Sequence, residues 1–193
     1  MEPAFPPGRW QAHPLGAGDV PALQRFFDAN PRYFETITGA PPRADEAQQE
    51  FDDRPPQDMS YSRLWALRCA LDDDPFAGVL FGLSHFLAPQ VCHIGLFIVA
   101  THLHGSGAAA ALYAQLEAWM IGQGARWCRL GAVVGNEPAE RFWTRCGYVE
   151  VRQRAGVAMG ARLNTVRVMV KPFGDATVAE HLQRVARDRP AAP

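Results

Sequence analysis

Residues 91–111 read VCHIGLFIVA, then THLHGSG, then AAAA. A run of apolar and β-branched residues gives way to two glycines and then to strong helix formers, which is the pattern of a buried strand, a tight turn and the first turn of a helix. The amides that open a helix lack intrahelical partners and sit at the positive end of its dipole, so an anionic ligand is stabilised there. Gly105 and Gly107 remove the side chains that would hold a phosphate away from the backbone.

Upstream, residues 9–15 (RWQAHPL) read as a short first strand. Asp19 is a plausible N-cap for a helix carrying Val20, Leu23, Phe26 and Phe27 at helical spacing, with a stop at Asn30-Pro31. Residues 31–42 (PRYFETITGAPP) form a loop or short helix, unusually aromatic for a connection, and a helix over 43–53 follows. Then comes a meander of strands at 63–71, 76–86 and 91–100, joined by turns too short for a parallel crossover and therefore antiparallel.

Downstream of the glycines, Leu112, Leu116 and Trp119 mark the buried stripe of a helix that ends at Gly122-x-Gly124. That helix is a crossover, so the strand over 126–134 lies parallel to the fourth. Asn136 caps the next helix, whose inner face holds Ala139, Phe142, Trp143 and Cys146, and Gly147 terminates it. Two antiparallel strands, 148–154 and 162–170, complete the sheet. In the tail, 176–189, Val178, Leu182 and Val185 fall at helical spacing among several arginines, which suits a loosely docked helix or a homodimer contact.

Composition narrows the class. The chain has 193 residues, 48% of them hydrophobic, which is ample for one α/β domain, and its formal charge of -1 argues against a duplex-DNA binder. Cys69, Cys92, Cys128 and Cys146 are scattered without metal-ligand spacing, as expected of reduced thiols in a cytoplasmic protein with no metal. The first ten residues lack a signal-peptide pattern, and the longest apolar run, near 94–100, is far too short to span a bilayer.

With these elements in order, the chain resembles the GNAT superfamily of acyl-CoA-dependent N-acyltransferases, most sharply from Ile94 to Val151. The family motif Q/R-x-x-G-x-G/A falls on His102 to Gly107. The later pattern N-x-x-A-x-x-F-(Y)-x-x-x-G-(F/Y) falls on Asn136, Ala139, Phe142, Trp143, Gly147 and Tyr148. The segment YFETITGAPPRADEA is similar to that of a bacterial subgroup of mostly unassigned substrate. The resemblance implies an α/β (α+β) fold. Its mixed, mostly antiparallel sheet has about seven strands, splayed between the parallel fourth and fifth, with about four flanking helices. It also implies a single domain over 1–175 with a helical or loosely ordered tail over 176–193.

The resemblance places the pyrophosphate of CoA on the amides of His104, Gly105, Ser106, Gly107, Ala108 and Ala109. It places the pantetheine arm along the backbone of Ile98, Val99 and Ala100, with Asn136 and Trp143 beside the cofactor. A fourth-strand amide then stabilises the developing oxyanion. The departures are His102, where Gln or Arg is usual, and Trp143, where the family often has a tyrosine that protonates the departing thiolate. An indole N–H donates hydrogen bonds but is no proton source near neutral pH, although a thiolate of pKa roughly 8.5 leaves tolerably without one.

Attack also requires a neutral amine and hence a base. Two residues qualify by type: His93, whose facing depends on alternation with Ile94, and Glu35 in the aromatic segment. Tyr33 and Phe34 are expected to line the acceptor pocket, with His85 as the cross-strand neighbour of His93.

Gly105, Gly107 and Ala110 formally fit the dinucleotide fingerprint G-x-G-x-x-A, which expects an acidic residue about 20 positions on. The corresponding strand here ends AVVGN and a meander precedes the turn, which excludes that reading. The expectation is an N-acetyltransferase that passes acetyl from acetyl-CoA to a primary amine of a small molecule or peptide, by direct attack in a ternary complex, with neither nucleic acid nor membrane as partner. The alternative is a non-catalytic CoA-binding sensor of the same fold.

Overall fold

Alternation along the central strands decides what sits on each side of the sheet. In β2 (Arg63–Leu71) every second residue, Trp65, Leu67, Cys69 and Leu71, is buried. β3 (Asp74–Ser84) is buried continuously from Ala77 to Leu83, as a strand covered on both faces must be. The computed structural model describes residues 5–190. Residues 1–4 and 191–193, at the outer ends of the expected domain and tail, lie outside the described residues.

Seven strands form one sheet in the order β1-β2-β3-β4-β5-β7-β6. Besides β2 and β3 they are β1 (Trp10–Pro14), β4 (Val91–Val99), β5 (Trp127–Val133), β6 (Val149–Met159) and β7 (Arg162–Pro172). Neighbours are antiparallel except β4 and β5, which run parallel, as the crossover rule requires. On one face lie α1 (Val20–Ala29), α2 (Arg32–Thr38) and α3 (Glu46–Asp52), packed through Leu23, Phe27, Phe34 and Ala47 onto Val79, Phe81, Leu96 and Ile98. On the other lie α4 (Ala108–Gly122) and α5 (Glu137–Arg145), packed through Leu112, Leu116, Trp119 and Trp143.

Among the described residues there are six α-helices where about four were expected, because the aromatic segment and the tail each make a short helix, α2 and α6 (Val178–Arg184). The tail is helical and tightly docked. His181, Val185 and Asp188 are buried, Trp127 Nε1 donates to Thr177 O at 2.8 Å, and a Thr177–Glu180 capping box starts α6. The third strand ends two residues earlier than expected, since His85, Leu87 and Gln90 all adopt positive φ in the turn to β4.

Candidate active site

The turn between β4 and α4 is built for its backbone. Gly105 and Gly107 have φ of +81° and +86°, which side chains rarely adopt, and a Cβ at either would meet nothing within 4 Å. These glycines are therefore required by conformation, and the space in front of them is open. Helix α4 makes its first bond from Ala111 N to Gly107 O at 3.1 Å, so the amides of Ala109 and Ala110 have no described partner. Ser106 Oγ donates to Leu103 O at 2.7 Å and accepts from Ala108 N at 3.3 Å, which ties the turn together.

Strand β4 changes facing halfway. Its pairing with β3 slips between Phe81↔Leu96 and Gly82↔Ile94, leaving Gly95 as an inserted residue, a β-bulge. Cys92 and Ile94 therefore belong to the α4 side, and Leu96 and Ile98 to the α1 side. Phe97 returns to the α4 side, where it meets Trp143 with ring centroids 5.2 Å apart. Pairing with β5 stops at Ile94↔Leu130, at the bulge. Beyond it the two strands part, and a cleft of about 580 Å³ opens, lined by Phe97, Val99, His104, Ala109, Asn136 and Trp143.

Which backbone groups of β4 face this cleft follows from the ladder. Ala100 N is spent on Ala77 O of β3 at 2.8 Å, so by alternation Ile98 also faces β3 while Phe97 and Val99 face the cleft. Of the expected set Ile98, Val99 and Ala100, Ile98 and Val99 line the cleft, and Phe97 joins them there. Even Val99 O is partly used, because His104 Nε2 donates to it at 2.9 Å. Asn136 caps α5 through Oδ1, which accepts from Ala139 N at 3.4 Å.

Trp143 is 7% exposed and sits among Phe142, Tyr113 and Tyr148, with centroids 4.8, 5.5 and 5.3 Å away. Tyr113 donates to Tyr148 through hydroxyls 3.1 Å apart, but burial raises both phenols and neither lines the clefts described here, so neither substitutes for the family tyrosine.

A second cleft, about 390 Å³, continues past Tyr33, Asn136 and Trp143 toward His93, Arg129, Arg154 and Met159. His93 precedes the bulge and faces the α1 side. It stacks on Phe86 at 4.7 Å, and its Nδ1 donates to Arg129 O at 3.1 Å, leaving the lone pair on Nε2. Burial, then the Arg129 charge, pushes His93 down to about 3. A ring held this far down is neutral near pH 7 and takes up a proton only weakly.

Arg129 is anchored from the tail. Its Nε reaches both oxygens of Asp188, at 3.1 and 2.9 Å, and His181 Nε2 donates to the same carboxylate at 2.9 Å. Burial raises the Asp188 carboxyl, but the His181 and Arg129 contacts outweigh it and hold the group at about 2.

The other predicted residues separate. Tyr33 lines both clefts, whereas Phe34 is core, 4% exposed and edge-on to Phe27 at 4.8 Å. His85 is not the cross-strand neighbour of His93, a place held by Leu83. It lies exposed in the turn, where its Nδ1 accepts from Gln90 N at 3.4 Å. Glu35 is exposed on α2 and lines neither cleft.

Sequence reading missed Glu50. It is on α3, in a third chamber of about 390 Å³ that it shares with His93, Gly95 and Asp53. Burial first, then the charges of Asp53 and Glu46, raise its carboxyl to about 7. Nothing in the string EAQQEFD distinguishes it from Glu46, because the distinction is which turn of the helix meets the sheet.

A sheet parted at a bulge beside an unpaired helix start leaves one open cleft between β4, α4 and α5. The profile of the acetyltransferase (GNAT) family matches residues 23–148, and the chain belongs to that family. It is accordingly an acyltransferase, of a family that uses acetyl-CoA. No protein in the curated set matches the chain.

Among solved structures, it is similar to a probable GNAT-family acetyltransferase from Chromobacterium violaceum. That match has TM-score 0.73 and 18% identity, covering 89% of this chain and 87% of that one. An acetyltransferase from Thermus thermophilus gives 0.66 and 21%, covering 86% and 98%. The spermidine N-acetyltransferase of Vibrio cholerae, solved with CoA and spermine, gives 0.65 and 15%, covering 85% and 95%. At these identities the likeness is one of fold.

Proposed function

We propose that the chain transfers an acetyl group from acetyl-CoA to a primary amine by direct attack in a ternary complex. The observation that carries this reading is the continuity of three backbone features. The bulge at Gly95, the cleft-facing groups of Phe97 and Val99, and the unpaired amides of Ala109 and Ala110 form one path from a reacting centre to an anion site.

Acetyl-CoA supplies the activated acyl group, and the residues around it do the rest. The Phe97 amide donates to the acyl oxygen as charge grows there. Glu50, raised to about 7 and sharing its chamber with Gly95, accepts the amine proton directly or through water. The new N–C bond forms as the C–S bond breaks, and the thiolate leaves and takes a proton from solvent. Glu50 replaces His93 and Glu35 as the proposed base because it alone of the three combines placement near the bulge with suitable proton affinity. The four free thiols suit work in the cytoplasm.

The test is acetyl-CoA-dependent thiol release with a panel of primary amines, with acetylated product identified by mass. Turnover of at least one amine is expected. Tight acetyl-CoA binding without turnover of any amine would favour the sensor reading, which Trp143 in place of a phenol keeps in view.

A further inference from the structure

The two chambers that meet at His93 and Gly95 carry opposite charge. The one under β6 and β7 is lined by Arg129 and Arg154 and by no aspartate or glutamate. The one under α3 is lined by Glu50 and Asp53, against a single cation, Arg54. The bulge where β4 and β5 part lies at their junction.

Arg129 is committed to Asp188. Arg154 has no carboxylate in ion-pair contact among the described residues, and its only described hydrogen bond is from Nη2 to Arg187 O at 3.5 Å. Its surroundings are cationic: after partial burial, the charges of Arg129, Arg187 and Arg152 lower its proton affinity, with only Asp188 opposing. Guanidinium stays ionised regardless, so the chamber has an uncompensated positive charge at its polar end. Around Arg154 the wall also carries apolar side chains, among them Ile37, Val157, Met159 and Val166.

We propose that the acceptor is an apolar amino acid: a primary amine whose own carboxylate is held by Arg154 while the amine is directed toward Glu50. A guanidinium fork matches a carboxylate geometrically, and that pairing is the charge-assisted kind. A polyamine fits poorly, because its second cation would meet the arginine chamber with no acid to receive it. This inference rests on the acyltransferase reading above and names the substrate class of that same site.

The experiment compares kcat/KM for matched amines: leucine against 3-methylbutylamine, phenylalanine against 2-phenylethylamine, and spermidine as the polycation. The intact chain is used and thiol release is read. Each amino acid is expected to exceed its decarboxylated partner by about tenfold or more, the size typical of losing one charged hydrogen bond.

Arg154→Gln should bring that ratio close to one, through a rise in KM for the amino acid, while KM for acetyl-CoA is unchanged. Arg154→Lys should recover part of the ratio, because charge returns without the fork. Preference for spermidine or for the decarboxylated amines, or an unchanged ratio in Arg154→Gln, would overturn the assignment and leave the acyltransferase reading standing. No turnover of any amine, with no stabilisation by acetyl-CoA, would remove both.

Discussion

The two halves of the proposed site are made of different material. The cofactor half is backbone: two positive-φ glycines, a helix start and a strand edge, contributed by one continuous segment from Gly95 to Ala110. The acceptor half is side chain: Tyr33, Glu50, Arg129 and Arg154 come from α2, α3, β5 and β6, and Asp188 of the tail braces one of them. A backbone site tolerates substitution of most side chains around it and fails when the chain path is disturbed. A side-chain site retains its fold and changes its specificity one residue at a time.

That contrast is sharpest at Gly107. Gly107→Glu places a carboxylate before the open helix start, at a φ that costs about 1–3 kcal/mol for a side chain. Loss of measurable acetyl-CoA binding by calorimetry is expected, with a circular dichroism spectrum like that of the parent. Unchanged affinity would take the turn out of the site.

Glu50→Gln acts on the other half, and should lower kcat by about 10²–10⁴-fold, the usual contribution of a positioned base, with acetyl-CoA affinity retained. In the parent, kcat/KM should climb with pH through about 7 as Glu50 ionises, and the variant should lose that limb. The stability sign is opposite. A carboxyl whose folded pKa is raised supports the fold fully below its unfolded pKa, and that support is lost as pH rises through about 7. The variant should therefore melt higher relative to the parent at pH 8 than at pH 5.

Asp188→Asn tests whether the tail is structural. Removing one partner of a buried pair leaves Arg129 uncompensated, a loss of about 3–5 kcal/mol by denaturant unfolding. Because the Asp188 pKa is depressed to about 2, its contribution is present above the unfolded carboxyl range and disappears as pH falls toward 2. The parent should show that acid limb and the variant should lack it. Smallest of all is Glu35→Gln, exposed and away from both clefts. Its stability should stay within about 0.5 kcal/mol of the parent, with turnover little altered.

What the sequence showed follows the same division. Strand, turn and helix over 91–111 were legible because glycine and apolar period act locally. The parallel β4–β5 pair followed from connection length alone. Asn136 as a cap and Trp143 on the inner face of α5 were legible for the same reason.

The acceptor side was not. Residue type alone makes His93 a candidate base, and only the fold shows that burial beside Arg129 lowers its pKa to about 3. Phe34 and Tyr33 are adjacent, and only the packing of α2 on Phe27 decides which enters the core. Asp188 and Arg129 are 59 residues apart, and no local pattern links them. The bulge at Gly95 sets which backbone groups of β4 face the cleft, and it is visible only once β3 is paired alongside.

The proposed chemistry depends most on the backbone path from Gly95 to Ala110 receiving acetyl-CoA. The direct measurement is the melting temperature of the purified chain against acetyl-CoA concentration. A ligand that binds only the folded state stabilises it by about 2.7 kcal/mol at one hundred times its Kd. A melting temperature that rises steadily with acetyl-CoA in the parent, and stays flat in Gly107→Glu, is the predicted result. A flat response in the parent at millimolar acetyl-CoA would contradict it.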